Sequence, residues 1–155
     1  VDRLAGDALA VIDYKSGSPS VAGWLGDRPD DPQLPLYALA MGGEVAAVAF
    51  ARLKAGEFGF LGLAREEALL PGVRTVDADR GARREAASWT DLLAQWRRST
   101  DELATRFAGG RAAVDPKRGL ATCRHCALQP LCRVHERLGA LGAEDDTAAG
   151  TEEPE

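Results

Sequence analysis

The chain has 155 residues, 45% of them hydrophobic and 28% charged, enough to bury a core as one domain or part of one. It has no run of about 18 apolar residues and no charged-then-apolar leader at its start, so the expectation is a soluble, cytoplasmic protein without a membrane span or signal peptide. Three cysteines crowded into residues 123–132 argue against a secreted disulfide framework and for a metal or cluster site in a reducing compartment.

In chain order, residues 1–5 and 8–15 read as a hairpin around Gly6-Asp7, with both strands apolar enough to be central. The abrupt start at Val1, already strand-like, reads as a piece of a longer polypeptide. Ala8 to Ile12 run without a break into Asp13-Tyr14-Lys15, and Ser16-Gly17-Ser18-Pro19 closes the segment. Side chains alternate along a strand, so Asp13 and Lys15 share one face and Tyr14 takes the other. A carboxylate and an ammonium at the end of an apolar strand are costly to bury without compensation. They read either as an ordinary ion pair or as the place of a divalent metal and a phosphate.

Residues 16–31, rich in Gly, Ser, Pro and Asp, predict a loop in which Trp24 and Leu25 either pack back on the domain, the favoured reading, or flank a substrate strand. Asp31 as N-cap and Pro32 at the first helical position predict a helix to Met41, stopped by Gly42-Gly43. Gln33 and Tyr37 are four apart and share a face of that helix. Residues 45–54 and 57–63 predict two strands joined at Ala55-Gly56, the second extending an edge. Residues 64–87 are mixed, with a turn at Pro71-Gly72. Ser88 and Asp91 form a capping box. It opens a helix in which Trp89, Leu92, Leu93, Trp96, Leu103 and Phe107 keep a 3.6-residue period up to Gly109-Gly110, a core stripe laid over the sheet.

Residues 111–122 read as a loop. Cys123, Cys126, Cys132 and His135 then give a Cys-x2-Cys-x5-Cys-x2-His series that suits one structural zinc, while His125 reads as solvated. An amphipathic stretch to about Leu141 and an acidic, disordered tail from 142 to 155 complete the chain. The net charge of −5 owes much to that tail: six of the 24 acids lie in residues 143–155, and the remaining 18 face 19 Lys and Arg. Bases crowd the second half, among them Arg80, Arg83, Arg84, Arg97 and Arg98, as a solvated face or a track along DNA. There is no internal repeat and no phosphate-binding glycine loop, so any ATP chemistry would lie elsewhere in a parent protein.

Asp13-Tyr14-Lys15, Gln33-x-x-x-Tyr37 and Cys123-x2-Cys126-x5-Cys132, in this order, resemble the RecB-like nuclease domain of the PD-(D/E)xK superfamily, as in AddB-type helicase–nuclease subunits. The resemblance spans roughly residues 1 to 135. It implies an α/β fold with a mixed central sheet flanked by helices and a cysteine staple at the C-terminus. The nuclease domain would run over 1–141, with an N-terminal helix and first strand ahead of Val1. It implies Mg²⁺- or Mn²⁺-dependent hydrolysis of DNA in recombinational repair, beside a helicase domain or subunit. By the resemblance Asp13 is a metal ligand, the Tyr14 carbonyl a second oxygen and Lys15 the group that positions or activates water. Gln33 would bond near the metal-bound water or phosphate, and Tyr37 would contact the DNA backbone. Asp2 is either the family's other metal-binding Asp or the second Asp of an Asp-Arg-Val-Asp run that begins upstream, the reading favoured here. The cysteines would join an upstream fourth to hold a four-iron four-sulfur cluster, with zinc completed by His135 as the alternative. A rival reading keeps the fold without the cleavage, as a DNA-binding or scaffold module.

Overall fold

Seven consecutive buried residues, Val45 to Ala51, make β3 (Val45–Lys54) the strand on which the first part of the molecule is built. A strand buried on both faces reads as a near-continuous apolar run, as here. On one side it pairs in parallel with β2 (Leu9–Lys15), on the other antiparallel with β4 (Glu57–Ala64). Parallel neighbours need a crossover, and α1 (Gln33–Ala40) lies within it. Two-residue strands β1 (Asp2–Arg3) and β5 (Arg74–Thr75) finish a mixed five-stranded sheet of order β1-β2-β3-β4-β5. α2 (Ala82–Glu85) and α3 (Trp89–Ala108) follow. The structure, a computed structural model, describes residues 1–136. It divides into two compact units, Val1–Gly109 and a second beginning at Gly110. Among the described residues, no helix is long and apolar enough to cross a membrane.

Register assigns the side chains to faces. Val11, Val48 and Leu63 lie in line across β2, β3 and β4, as do Asp13, Phe50 and Leu61. Their apolar members form one cluster with Leu34 and Ala38 of α1, Trp89, Leu92 and Trp96 of α3, and Trp24 of the loop. Each large side chain buried this way contributes about 1.5–3 kcal/mol. Trp89 also donates its indole N–H to the Val45 carbonyl at 2.9 Å, tying α3 to the start of β3. The opposite face is lined by small residues, Ala10, Ala47 and Ala64, with Leu4, Ile12, Leu69, Leu70 and Val73 packed on them.

The α/β architecture with a mixed sheet and flanking helices is as expected, and several local expectations are corrected. β1 is an exposed edge strand, not a central one, because only two of its residues pair and only with β2. β4 is internal, since β5 pairs beyond it. The loop after β2 contains a 3-10 turn, Val21–Trp24, started by Ser20 Oγ accepting from the Ala22 amide at 3.3 Å, and Trp24 is fully buried. In α1 the capping position belongs to Pro32, whose carbonyl accepts from the Leu36 amide, and no side chain caps the helix. Ser88 does cap α3, accepting from the Asp91 amide at 3.1 Å and donating to the Asp91 carboxylate at 2.7 Å. The apolar stripe of α3, however, stops being core halfway. Twenty residues make a rod about 30 Å long, its buried side chains end at Ser99, and Phe107 is 84% exposed.

Among its described residues the second unit has three short elements, β6 (Lys117–Gly119), α4 (Leu120–Cys123) and α5 (Gln129–Cys132), where the sequence predicts a loop up to residue 122. The bond from the Arg118 amide to Thr122 Oγ1, 2.9 Å, closes the first of these turns. The end of the expected amphipathic stretch, the acidic tail and the boundary at 141 lie outside the described residues.

Candidate active site

At the C-terminal end of β2 the sheet carries charge on the face that elsewhere carries its main core. Lys15 Nζ lies 2.9 Å from Asp13 Oδ2, and the side chains are 34% and 22% exposed. That carboxylate oxygen is closed off from solvent and has no hydrogen-bond partner beyond this ammonium. Phe50, in register with Asp13, provides the floor, its ring centroid 5.7 Å below Nζ. Trp24 packs on Phe50 at 4.9 Å, and Trp96 meets Trp24 edge-on at 6.3 Å. The pair thus rests on a stack of aromatic rings running back into α3. The Lys15 pKa is raised above its ordinary 10.5, first by the hydrogen-bonding attraction of Asp13, against a smaller effect of burial, and then by the charges of Asp13, Asp31 and Tyr37.

Asp31 and Tyr37 are therefore within electrostatic reach of Lys15. Gln33 and Tyr37 face each other along α1, with Gln33 Nε2 donating to Tyr37 Oη at 3.4 Å and Tyr37 49% exposed. The structure brings Asp13, Lys15, Gln33 and Tyr37 to one place by the β2–α1 connection. Asp31, read from sequence as a helix cap, belongs to the same group. Its amide donates to the Gly23 carbonyl at 2.9 Å, which folds the loop back beside Trp24; no side chain caps the helix, and the carboxylate's charge acts on Lys15. Arg52 was also missed: it stands in register with Lys15 on β3, and nothing in its strand context marks it.

Asp2 is elsewhere. It pairs with Ala10, and residues directly opposite in an antiparallel pair share a face. Ala10 and Asp13 are an odd number of residues apart, so Asp2 looks out of the opposite side of the sheet, roughly 10 Å back along the strand at about 3.4 Å per residue. The Tyr14 side chain is on that opposite face too, exposed. Anything it adds to the site comes from its main chain.

Residues 1–133 match the PD-(D/E)XK nuclease superfamily. The chain belongs to that superfamily. Its members are typically metal-dependent nucleases, using Mg²⁺ or Mn²⁺ and acting on DNA. No curated protein and no solved structure gives a significant match.

The residues present fit such a metal in part. Mg²⁺ takes one or two carboxylates and fills its remaining positions with water and substrate phosphate. Asp13 offers one hard oxygen donor whose only partner is a displaceable ammonium. Among the described residues no three His, Cys, Asp or Glu side chains gather as a metal cluster.

The same holds for the cysteines, all of which are free thiols. A turn bond from the Cys126 amide to the Cys123 carbonyl, 3.0 Å, draws the first two together. Cys132 instead donates to the Gln129 carbonyl at 3.4 Å, and His135 Nε2 is 2.9 Å from Gln129 Oε1. As placed, the three thiols and His135 do not form a ligand set. His125 is exposed.

Proposed function

We propose that this domain hydrolyses phosphodiester bonds of DNA, as the RecB-like nuclease part of a helicase–nuclease acting on DNA ends in recombinational repair. One observation carries the reading: a carboxylate and an ammonium share the end of β2, over an aromatic floor, with the Tyr37 member of a Gln–Tyr pair on α1 within electrostatic reach of the ammonium. When bound at Asp13, Mg²⁺ or Mn²⁺ supplies an activated water and stabilises the leaving oxygen.

The chain's own residues do the rest. Asp13 donates an oxygen to the metal, with the Tyr14 carbonyl as a second. Because its pKa is raised, Lys15 keeps its proton at neutral pH. Its ammonium stands as a cation opposite the charge that develops on the phosphate. Gln33 orients the Tyr37 hydroxyl, and the exposed phenol bonds the DNA backbone.

The second carboxylate of the site fits the Asp-Arg-Val-Asp reading better than Asp2 itself. Each step back along β1 is a step forward along β2, so the position opposite Asp13 on that strand is three residues ahead of Asp2. This is where the first Asp of such a run falls. That no three His, Cys, Asp or Glu side chains gather around Asp13 among the described residues is also what favours the rival, a nuclease fold that binds DNA without cutting it. The cysteines are assigned to a four-iron four-sulfur staple of the full-length parent, with zinc as the alternative.

The test is degradation of linear duplex DNA by the full-length parent. Cleavage should need Mg²⁺ or Mn²⁺ and stop on chelation. Asp13→Ala and Lys15→Ala should each lower the rate by about 10²-fold or more, with circular dichroism unchanged. Wild-type activity in either variant would return the site to a structural ion pair.

A further inference from the structure

We propose that Arg52 clamps a backbone phosphate of the bound DNA, next to the one that sits at Asp13 and Lys15. The inference rests on the DNA-binding reading above and adds a residue to it. The parallel register sets Arg52 beside Lys15 just as it sets Phe50 beside Asp13, so all four look out of the same face of the sheet. Arg52 is the first residue of β3 after the buried run to come partly to the surface.

Its stem is packed, and among the described residues its charge has no counter-ion. The Nε is shut off from solvent and has no hydrogen-bond partner. Among the described residues, Arg52 forms no hydrogen bond and no ion pair. The side chain leans across β3 toward β4, where its in-register neighbour is Gly59, and Nη2 comes within 3.8 Å of the place a Cβ would take there. A glycine at that position leaves the guanidinium uncovered by any side chain of its strand partner.

Desolvating part of a cation costs free energy unless an anion meets it. Lys15, one strand away, has Asp13; among the described residues Arg52 has nothing equivalent. A planar fork with its donors fixed in one orientation suits the oxygens of a phosphate. The side chain leans away from Lys15, which places it at a flanking phosphate and not at the bond that is cut. The competing account is an Arg that merely lays its stem on the sheet and keeps its head in water.

Salt dependence separates the two. Each phosphate neutralised on duplex DNA contributes about 0.9 to the slope of log K against log salt, and about 0.7 on a single strand. The experiment measures binding of a fluorescent duplex oligonucleotide by the Asp13→Ala chain in chelator, across a salt series, so that no DNA is cut. Adding Arg52→Gln, which keeps most of the stem and removes the charge, should weaken binding and make the slope shallower by about 0.9. Arg52→Lys should keep the slope of the parent chain. Unchanged affinity and slope in Arg52→Gln, or a change in melting temperature alone, would overturn the proposal, as would an absence of DNA binding by the Asp13→Ala chain. The nuclease reading fails on a different observation, namely cleavage that survives Asp13→Ala, so the two can fall independently.

Discussion

Lys15 shows how one side chain is fixed by what surrounds it. It is paired with Asp13, lies over Phe50 and feels Asp31 and Tyr37, and its first-ranking partner holds the proton on. A lysine whose folded-state pKa is raised contributes stability that is fully present below the unfolded value and is lost as pH rises through the folded value. The stability difference between the metal-free wild type and Lys15→Met should therefore stay constant up to about pH 10 and shrink as the pH passes 10.5. Urea unfolding of both proteins over this range is the measurement, and a difference that moves in the wild type's favour from about pH 8 upward would show a lysine whose folded-state pKa is lowered, free to act as a base. The Asp13–Lys15 alternation could be read from the sequence because a strand has only two faces. Asp31 could not, because an Asp-Pro ahead of an apolar run looks like a helix cap whether or not the carboxylate turns to the helix. Arg52 was hidden for a different reason: whether a strand-end arginine has a partner depends on the register with β2 and β4, which is a property of the folded sheet.

At the scale of elements, what was readable is what repeats. The apolar run of β3, the 3.6-residue period of α3 and its Ser88 cap all predicted the element that forms. Periodicity does not say where a neighbouring layer ends, so Phe107 continues the stripe of α3 into solvent. Nor does it reveal an edge, and β1, apolar in part, pairs through two residues only. Glycines in strands are equally opaque in sequence, yet at Gly62 the backbone of β3 leaves no room for a side chain on β4. A Cβ there would stand 2.1 Å from the Val48 carbonyl oxygen and 2.6 Å from the Ala49 Cα, both backbone atoms that cannot turn aside. Gly62→Ala should cost about 1–3 kcal/mol or more and, by displacing the strand that carries Phe50 and Arg52, lower cleavage as well. Gly59→Ala, on the same strand with only an arginine tip 3.8 Å away, is the control that should fold normally. Equal melting temperatures for the two variants would contradict this account of the β3–β4 contact.

On the scale of the whole molecule, the chain carries two compact units of different physical kinds. The first has a continuous apolar core between sheet and helices. In the second, α4 and α5 bury no side chain, and neither helix exceeds four residues. Elements so short form few internal bonds for the residues they fix, so a cross-link would add order to this described segment, in which Val134 is fully buried. On the proposed staple reading, three thiolates leave one coordination position to fill, either from His135 or from a cysteine outside these 155 residues. The two ligands give different colours and different genetics. The full-length parent purified without oxygen should be brown, absorb broadly near ~400 nm and contain iron, and Cys126→Ser should remove both colour and iron while His135→Ala changes little. Metal binding and folding are coupled, so loss of the cluster should also expose residues 110–136 to protease sooner than residues 1–109. Colourless protein holding one zinc, lost in His135→Ala, would instead make the staple a Cys₃His site completed within this chain, and would require the Gln129–His135 bond to break as the metal enters.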